Sequence, residues 1–260
     1  MREISSTGNS EIRQLAALRQ KASERRRTGT FLLEGERLIL DSPAGSLRRV
    51  YVTRGVFERL ESRLPDEVTI LSEAAMEKAS GTQHPQGILA VAAMPQWTAE
   101  NLLEAEGSPL LLILEDIQDP GNLGTMLRTA EAAGASGMIL SKNTADLFNP
   151  KTVRATMSAV FRMPFQITED LPGRIGELRR RHGVRVHAAC LHGKCTSYET
   201  LDYRGPSAFL IGNEGNGLSQ RSIEAADDAI CLPMAGQIES LNAAMSAGIL
   251  LYEAARQRGF

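Results

Sequence analysis

The sequence predicts an α/β protein of two domains, a smaller N-terminal α/β module and a C-terminal domain built on a parallel sheet. Three observations predict it. A chain of 260 residues is long for one small core and comfortable for two. From Leu110 onward, continuously apolar runs alternate with helical patterns, as strands buried on both faces of a parallel sheet do. Between this region and the shorter strands and helices before it lies the mostly polar "QWTAENLLEAEGSP", which sets the expected boundaries at 1–95, a connector 96–109, and 110–260.

The first domain opens on a helix from Ser10 to about Arg26, ended by a turn at Thr28 and Gly29. "FLLEGERLILDS" is a short apolar strand running through Gly35 into a helix. "RRVYVT" and "VTILS" are strands, "VFERLESRL" and "EAAMEKAS" helices, and "GILAVAAM" a closing strand. In the second domain "LLLILED" is an uninterrupted apolar strand and "NLGTMLRTAEAAG" a helix stopped by Gly134. "GMILS" follows as a strand, then "NPKTVRATMSAVF" as a helix with Asn149 as N-cap and Pro150 at its first position. Strands at "FQIT", "VRVHAAC", "AFLIG" and "AICLP" alternate with helices at "RIGELRRRH" and "SQRSIEAA". The last helix lies in "SLNAAMSAGILLYEAARQR".

Bulk properties remove several classes of function. No apolar run approaches the roughly 20 residues that span a bilayer, and the polar start "MREISSTGNSEIRQ" lacks the apolar segment of a secretory signal. The expectation is a soluble cytoplasmic protein with no membrane partner. The three cysteines, Cys190, Cys195 and Cys231, are too few for a disulfide framework and are expected to be reduced thiols. "VHAACLHGKC" places His187, Cys190, His192 and Cys195 close together, but the spacing is not that of a common zinc module, so no metal is expected. Net charge is near zero, yet Arg13, Arg19, Lys21, Arg25, Arg26 and Arg27 face one acid, Glu24, within a short stretch. Such a local basic surface suits phosphates.

Ligands of open α/β sheets bind beyond the carboxyl ends of the strands, which directs attention to the loops after Glu115, Ile211 and Leu232. In the first, Gly121 and Gly124 allow tight backbone geometry, and the helix start offers N–H groups to an anion. Their spacing is neither the dinucleotide fingerprint nor a P-loop, which argues against a dehydrogenase or an NTPase. In the second, "LIGNEGNGLS", Gly212, Asn213, Gly215 and Gly217 surround Glu214. In the third, "CLPMAGQIESLNAAMSAG", Ser240 and Asn242 either cap the last helix or orient a ligand.

Together, "DPGNLGTMLRTAEAAG", "LIGNEGNGLS" and "LPMAGQIESLNAAMSAGILLYE" resemble, in order, the three motifs of the SpoU (TrmH-like) branch of the SPOUT RNA methyltransferases. "GTFLLEGERLI" and "HPQGILAVA" resemble the small substrate-binding domain, similar to an RNA-binding ribosomal protein, that precedes it in ribosomal RNA methyltransferases. The resemblance implies a C-terminal sheet domain with a deep trefoil knot, S-adenosylmethionine as cofactor, a ribose 2′-hydroxyl of RNA as methyl acceptor, and a homodimer involving the last helix. It favours 23S ribosomal RNA, with transfer RNA or a non-catalytic RNA-binding paralogue as alternatives. By position it assigns cofactor contacts to Ile211, Gly212, Leu232, Met234 and Leu241. Catalysis falls to Asn122, Arg128, Glu214, Ser240 and Asn242: Asn122 and Asn242 orient the ribose, Glu214 and Ser240 support the loops, and Arg128 anchors phosphate. RNA selection is assigned to the N-terminal domain and to Arg13, Arg19, Arg26 and Arg154.

Overall fold

The computed structural model describes residues 2–104, 107–190 and 194–259. It divides into two compact units, one of residues 1–95 with 146–161, the other of 96–145 with 162–260.

The first unit is built on β1 (Arg2–Ile4), α1 (Ser10–Gln20), α2 (Ala22–Thr28), β2 (Thr30–Glu34), α3 (Glu36–Leu40) and β3 (Leu47–Val52). It continues with α4 (Arg54–Leu60), β4 (Val68–Leu71), α5 (Glu73–Ser80) and β5 (Ile88–Ala93). Its mixed sheet runs β1-β4-β3-β5-β2. The helix expected from Ser10 to Arg26 breaks at Lys21, whose backbone is extended. Ile12, Leu15 and Leu18, on one face of α1, are buried, and the first two join Met76 and Ala79 of α5 over the sheet. The helix α7 (Pro150–Thr156), capped by Asn149 with Pro150 at its first position, packs on β2 of this unit. Directly after it, Met157 and Ser158 both adopt the left-handed conformation, φ 49° and 72°.

The second unit carries β6 (Leu110–Leu114), α6 (Pro120–Ala132), β7 (Gly137–Ser141), β8 (Phe165–Thr168), α8 (Leu171–His182) and β9 (Arg185–Ala189). After these come β10 (Thr196–Ser197), β11 (Ser207–Ile211), α9 (Gln220–Ala225), β12 (Asp228–Cys231) and α10 (Ala243–Gln257). All of its strand pairs are parallel, in the order β10-β12-β9-β11-β6-β7-β8. Every residue of β6, β7 and β11 is buried, which is why those segments lack the alternation of a half-exposed strand. Full burial of each Leu or Ile in them is worth roughly 1.5–3 kcal/mol. At the edge, β8 leaves Ile167 57% exposed. Helix α8 covers one face through Leu171, Ile175 and Leu178, and α10 packs on α6 and β11. Leu102, inside the segment expected to connect the domains, is buried in that same core.

Candidate functional site

The carboxyl ends of β11 and β12 and the start of α10 enclose a cleft of about 650 Å³, within the range of small-molecule sites. Ile211, Gly212, Leu232, Met234 and Leu241 all line it, as do Glu214, Ser240 and Asn242. Gly212 is required by close approach. A Cβ there would lie 2.3 Å from the carbonyl carbon of Gly217 and 2.4 Å from the nitrogen of Leu218. The loop is closed by Asn213, whose N–H donates to Gly217 O (3.1 Å) and whose carbonyl accepts from Gly217 N (2.9 Å), with Gly217 at φ 67°.

Asn122 lies outside the lining but is tied to it. Its Nδ2 donates to Glu214 Oε1 (2.9 Å), and its Oδ1 accepts from Asn242 Nδ2 (3.0 Å). Asn242 is also the N-cap of α10, accepting from the N–H groups of Ala244 and Met245, so the capping and site roles coexist. One polar chain, Glu214–Asn122–Asn242, therefore links the three loops.

The anion expected at the start of α6 is the protein's own. Glu214 accepts from the backbone N–H of Gln118 (3.0 Å) and Asp119 (3.2 Å), while the Asn122 N–H is taken by the cap Asp119 (2.8 Å). Those three donors are taken by side chains of the protein itself. Burial pushes the Glu214 carboxyl up, but bonds from Asn122, Gln118 and Asp119 outweigh it and hold its pKa below the ordinary carboxylate value. A lowered folded-state pKa gives stability that is complete above the unfolded value and is lost as pH falls through the folded one. The melting-temperature advantage over Glu214→Gln is therefore expected to be flat above about pH 5 and to shrink on acidification. Thermal melts across pH check this.

Three residues the sequence did not single out as site residues hold these loops. Asp116, at φ 53°, presents its carbonyl to Asn213 Nδ2 (2.7 Å) and Gln118 Nε2 (2.9 Å). Gln118 also reaches Asn143 O, and Glu115 accepts from Ser219 and Ser222. Their signal was position alone, polar groups next to the motif turns.

Arg128 lies on α6, exposed and outside the cleft lining, and its side chain makes no hydrogen bond or ion pair among the described residues. Ser240, though on the lining, is likewise exposed. In the first unit Arg13 and Arg26 are exposed, while Arg19 and Arg154 line a hollow beside Glu34. The expected basic surface is thinner than its sequence. Arg25 is buried and donates from Nε (3.0 Å) and Nη2 (2.5 Å) to Asp146 Oδ2, and Arg27 pairs with Glu24.

The cysteines also depart from expectation. Cys195 and Cys231 form a disulfide on the wall of the cleft, leaving Cys190 as the free thiol. Parallel pairing of β10 with β12 aligns Thr196 with Ile230 and brings the two Cα atoms to 5.7 Å across a separation of 36 residues. Without reductant, Cys231→Ser is expected to lose roughly 2–4 kcal/mol of stability. With reductant, denaturant titration should find the two proteins alike. Of the other residues considered for zinc, His187 is buried with Nδ1 3.0 Å from Asp228 Oδ2, and His192 lies outside the described residues. Among the described residues no helix is long and apolar enough to cross a membrane.

Residues 109–252 match the SpoU rRNA Methylase family, and residues 9–90 match the MRM3-like substrate binding domain. Over 258 residues the chain is 35% identical to the 23S rRNA (guanosine(2553)-2'-O)-methyltransferase RlmP of Bacillus subtilis strain 168, covering 97% of this chain and 98% of that protein. The 23S rRNA (uridine(2479)-2'-O)-methyltransferase of Streptomyces viridochromogenes is 32% identical over 263 residues, 96% of this chain and 91% of its own. The AdoMet-bound rRNA methyltransferase from Sinorhizobium meliloti superposes with a TM-score of 0.85 at 31% identity, over 98% of this chain and 97% of that one.

Proposed function

The chain belongs to the SpoU rRNA methylase family, and on that premise we propose that it transfers a methyl group from S-adenosylmethionine to a ribose 2′-hydroxyl of 23S ribosomal RNA. The observation that carries this is a cleft lined by two of the three motif loops, with the third tied to its wall through the bonds of Asn122 to Glu214 and Asn242. The cleft fits the cofactor: Ile211, Leu232, Met234 and Leu241 offer apolar walls for its adenosine, and Gly212 keeps the loop close. When bound, the sulfonium supplies a methyl group that is already electrophilic, so no metal is called for.

The chain's own task is placement. Asn122 and Asn242 hold the ribose hydroxyl in line, Glu214 and Ser240 keep the loops in position, and Arg128 holds the neighbouring phosphate. Correct alignment of reacting atoms supplies effective molarities of roughly 10⁵–10⁸ M in favourable cases. Arg13, Arg19, Arg26 and Arg154 contribute phosphate contacts from the first unit.

The second unit closes as a trefoil knot, a rare exception to unknotted chains. In support, the chain leaves β12 beside the edge of the sheet and returns in α10 to α6 and β11. The enzyme is a cytoplasmic homodimer. Met245 and Tyr252, 60% and 46% exposed and seven residues apart on α10, give that interface an apolar stripe. In the cytoplasm the Cys195–Cys231 bond meets a reducing thiol pool.

Incubation with methyl-labelled S-adenosylmethionine and either 23S rRNA or transfer RNA tests the assignment. Label is expected on 23S rRNA. Label on transfer RNA alone would replace the substrate, and cofactor binding with neither RNA labelled would mark a non-catalytic paralogue.

A further inference from the structure

The first unit holds a second recessed site, lined by none of the residues given a catalytic role. Two hollows of about 200 and 120 Å³ share Glu34, Leu38 and Arg154. Glu34 ends β2, its side chain is 11% exposed, and among the described residues it accepts no hydrogen bond. Its nearest cation, Arg154 Nη2, stands 3.8 Å away, beyond hydrogen-bonding distance. Burial raises the Glu34 pKa despite Arg154 and Arg19, as expected of a carboxylate short of donors.

A glycine makes room for Arg19 at the edge of this recess. The Arg19 guanidinium occupies the place where a Cβ of Gly81 would stand, 0.7 Å from Nη1, and Gly81 has φ +71°. The Nε of Arg19 is buried without a partner. On the other side Met157 and Ser158 hold consecutive left-handed conformations, which non-glycine residues adopt at a cost in strain that concentrates at ligand sites.

The geometry points to a pocket for one unstacked guanosine of the RNA, its base edge on Glu34 and its phosphate on Arg154. A carboxylate is an acceptor with two parallel oxygens. Guanine alone among the four bases presents two adjacent donors, N1–H and the 2-amino group, on its Watson–Crick edge. Adenine, cytosine and uracil each set an acceptor beside their donor. Leu38 and Met157 supply apolar surface for the ring, and bases taken out of a stack are the usual source of sequence information in RNA recognition.

The inference rests on RNA being the substrate, and its test is separate from methyl transfer. Fluorescence anisotropy of the full chain, without cofactor, is measured with labelled heptamers that have G, inosine or A between two U₃ arms. The G heptamer is expected to bind about tenfold more tightly than the A heptamer, the scale of one bidentate pair. Inosine, lacking the 2-amino group, should fall between. Glu34→Gln sets a donor beside an acceptor, the pattern that complements the adenine edge, and should erase or reverse the preference for G. Arg154→Ala should weaken all three alike and lower the salt slope by about one. Equal affinity of the unmodified protein for G and A, or a preference that survives Glu34→Gln, overturns the pocket. If such a protein still labels 23S rRNA, only this inference falls and the functional assignment stands.

Discussion

Arg128→Ala is expected to lower methyl transfer by about a hundredfold or more while cofactor affinity stays within about twofold, on the scale of deleting one electrostatic contact to a transition state. The split follows from placement. Arg128 is exposed on α6, its side chain makes no hydrogen bond or ion pair among the described residues, and it lies off the wall of the cleft, so removing that side chain leaves both fold and cofactor pocket intact. What disappears is a fixed charge with a planar fork of donors, suited to a phosphate beside the reacting ribose. Arg128→Lys keeps the charge without the fork and should fall between. Single-turnover transfer and calorimetric titration with cofactor separate the two effects. A parallel loss of cofactor affinity would place Arg128 in the pocket instead.

Gly212→Ala should have the opposite signature, losing cofactor binding first. Its added methyl would meet backbone atoms only, the carbonyl of Gly217 and the nitrogen of Leu218, and no side chain can swing aside to relieve the clash. Relief requires the reciprocal Asn213–Gly217 bonds to open, and with them the loop that carries Glu214. Overpacking of this kind costs about 1–3 kcal/mol, and cofactor affinity is expected to fall at least about tenfold. Gly236→Ala is the matched control in the neighbouring loop, where a Cβ would meet nothing within 4 Å. Equal cofactor affinity in the two variants would contradict the close-packed loop.

The sheet strands of the second unit were legible because burial on both faces leaves continuous apolar runs, as at Leu110–Leu114. The α7 start was legible because Asn149 and Pro150 carry their own chemistry. Short strands were not. Arg2–Ile4 and Thr196–Ser197 are strands only through pairing with β4 and β12, a nonlocal fact that two or three polar or mixed residues cannot announce. The break at Lys21 has neither Gly nor Pro to signal it. The motif residues around the cleft were identified as a set, yet Glu214 as the anion at the start of α6 came only with the fold, since 92 positions separate it from Asn122. The same nonlocality hid the Arg25–Asp146 pair, 121 positions apart, and the Cys195–Cys231 bond.

Alkaline cleavage of 23S rRNA after reaction with the protein and S-adenosylmethionine addresses the assignment most directly, because a 2′-O-methyl group removes the nucleophile that cuts the adjoining phosphodiester. A protected linkage that appears only when both protein and cofactor are present is the predicted result. A cleavage ladder unchanged from untreated RNA, or methyl label recovered on a base with every linkage still labile, would contradict it.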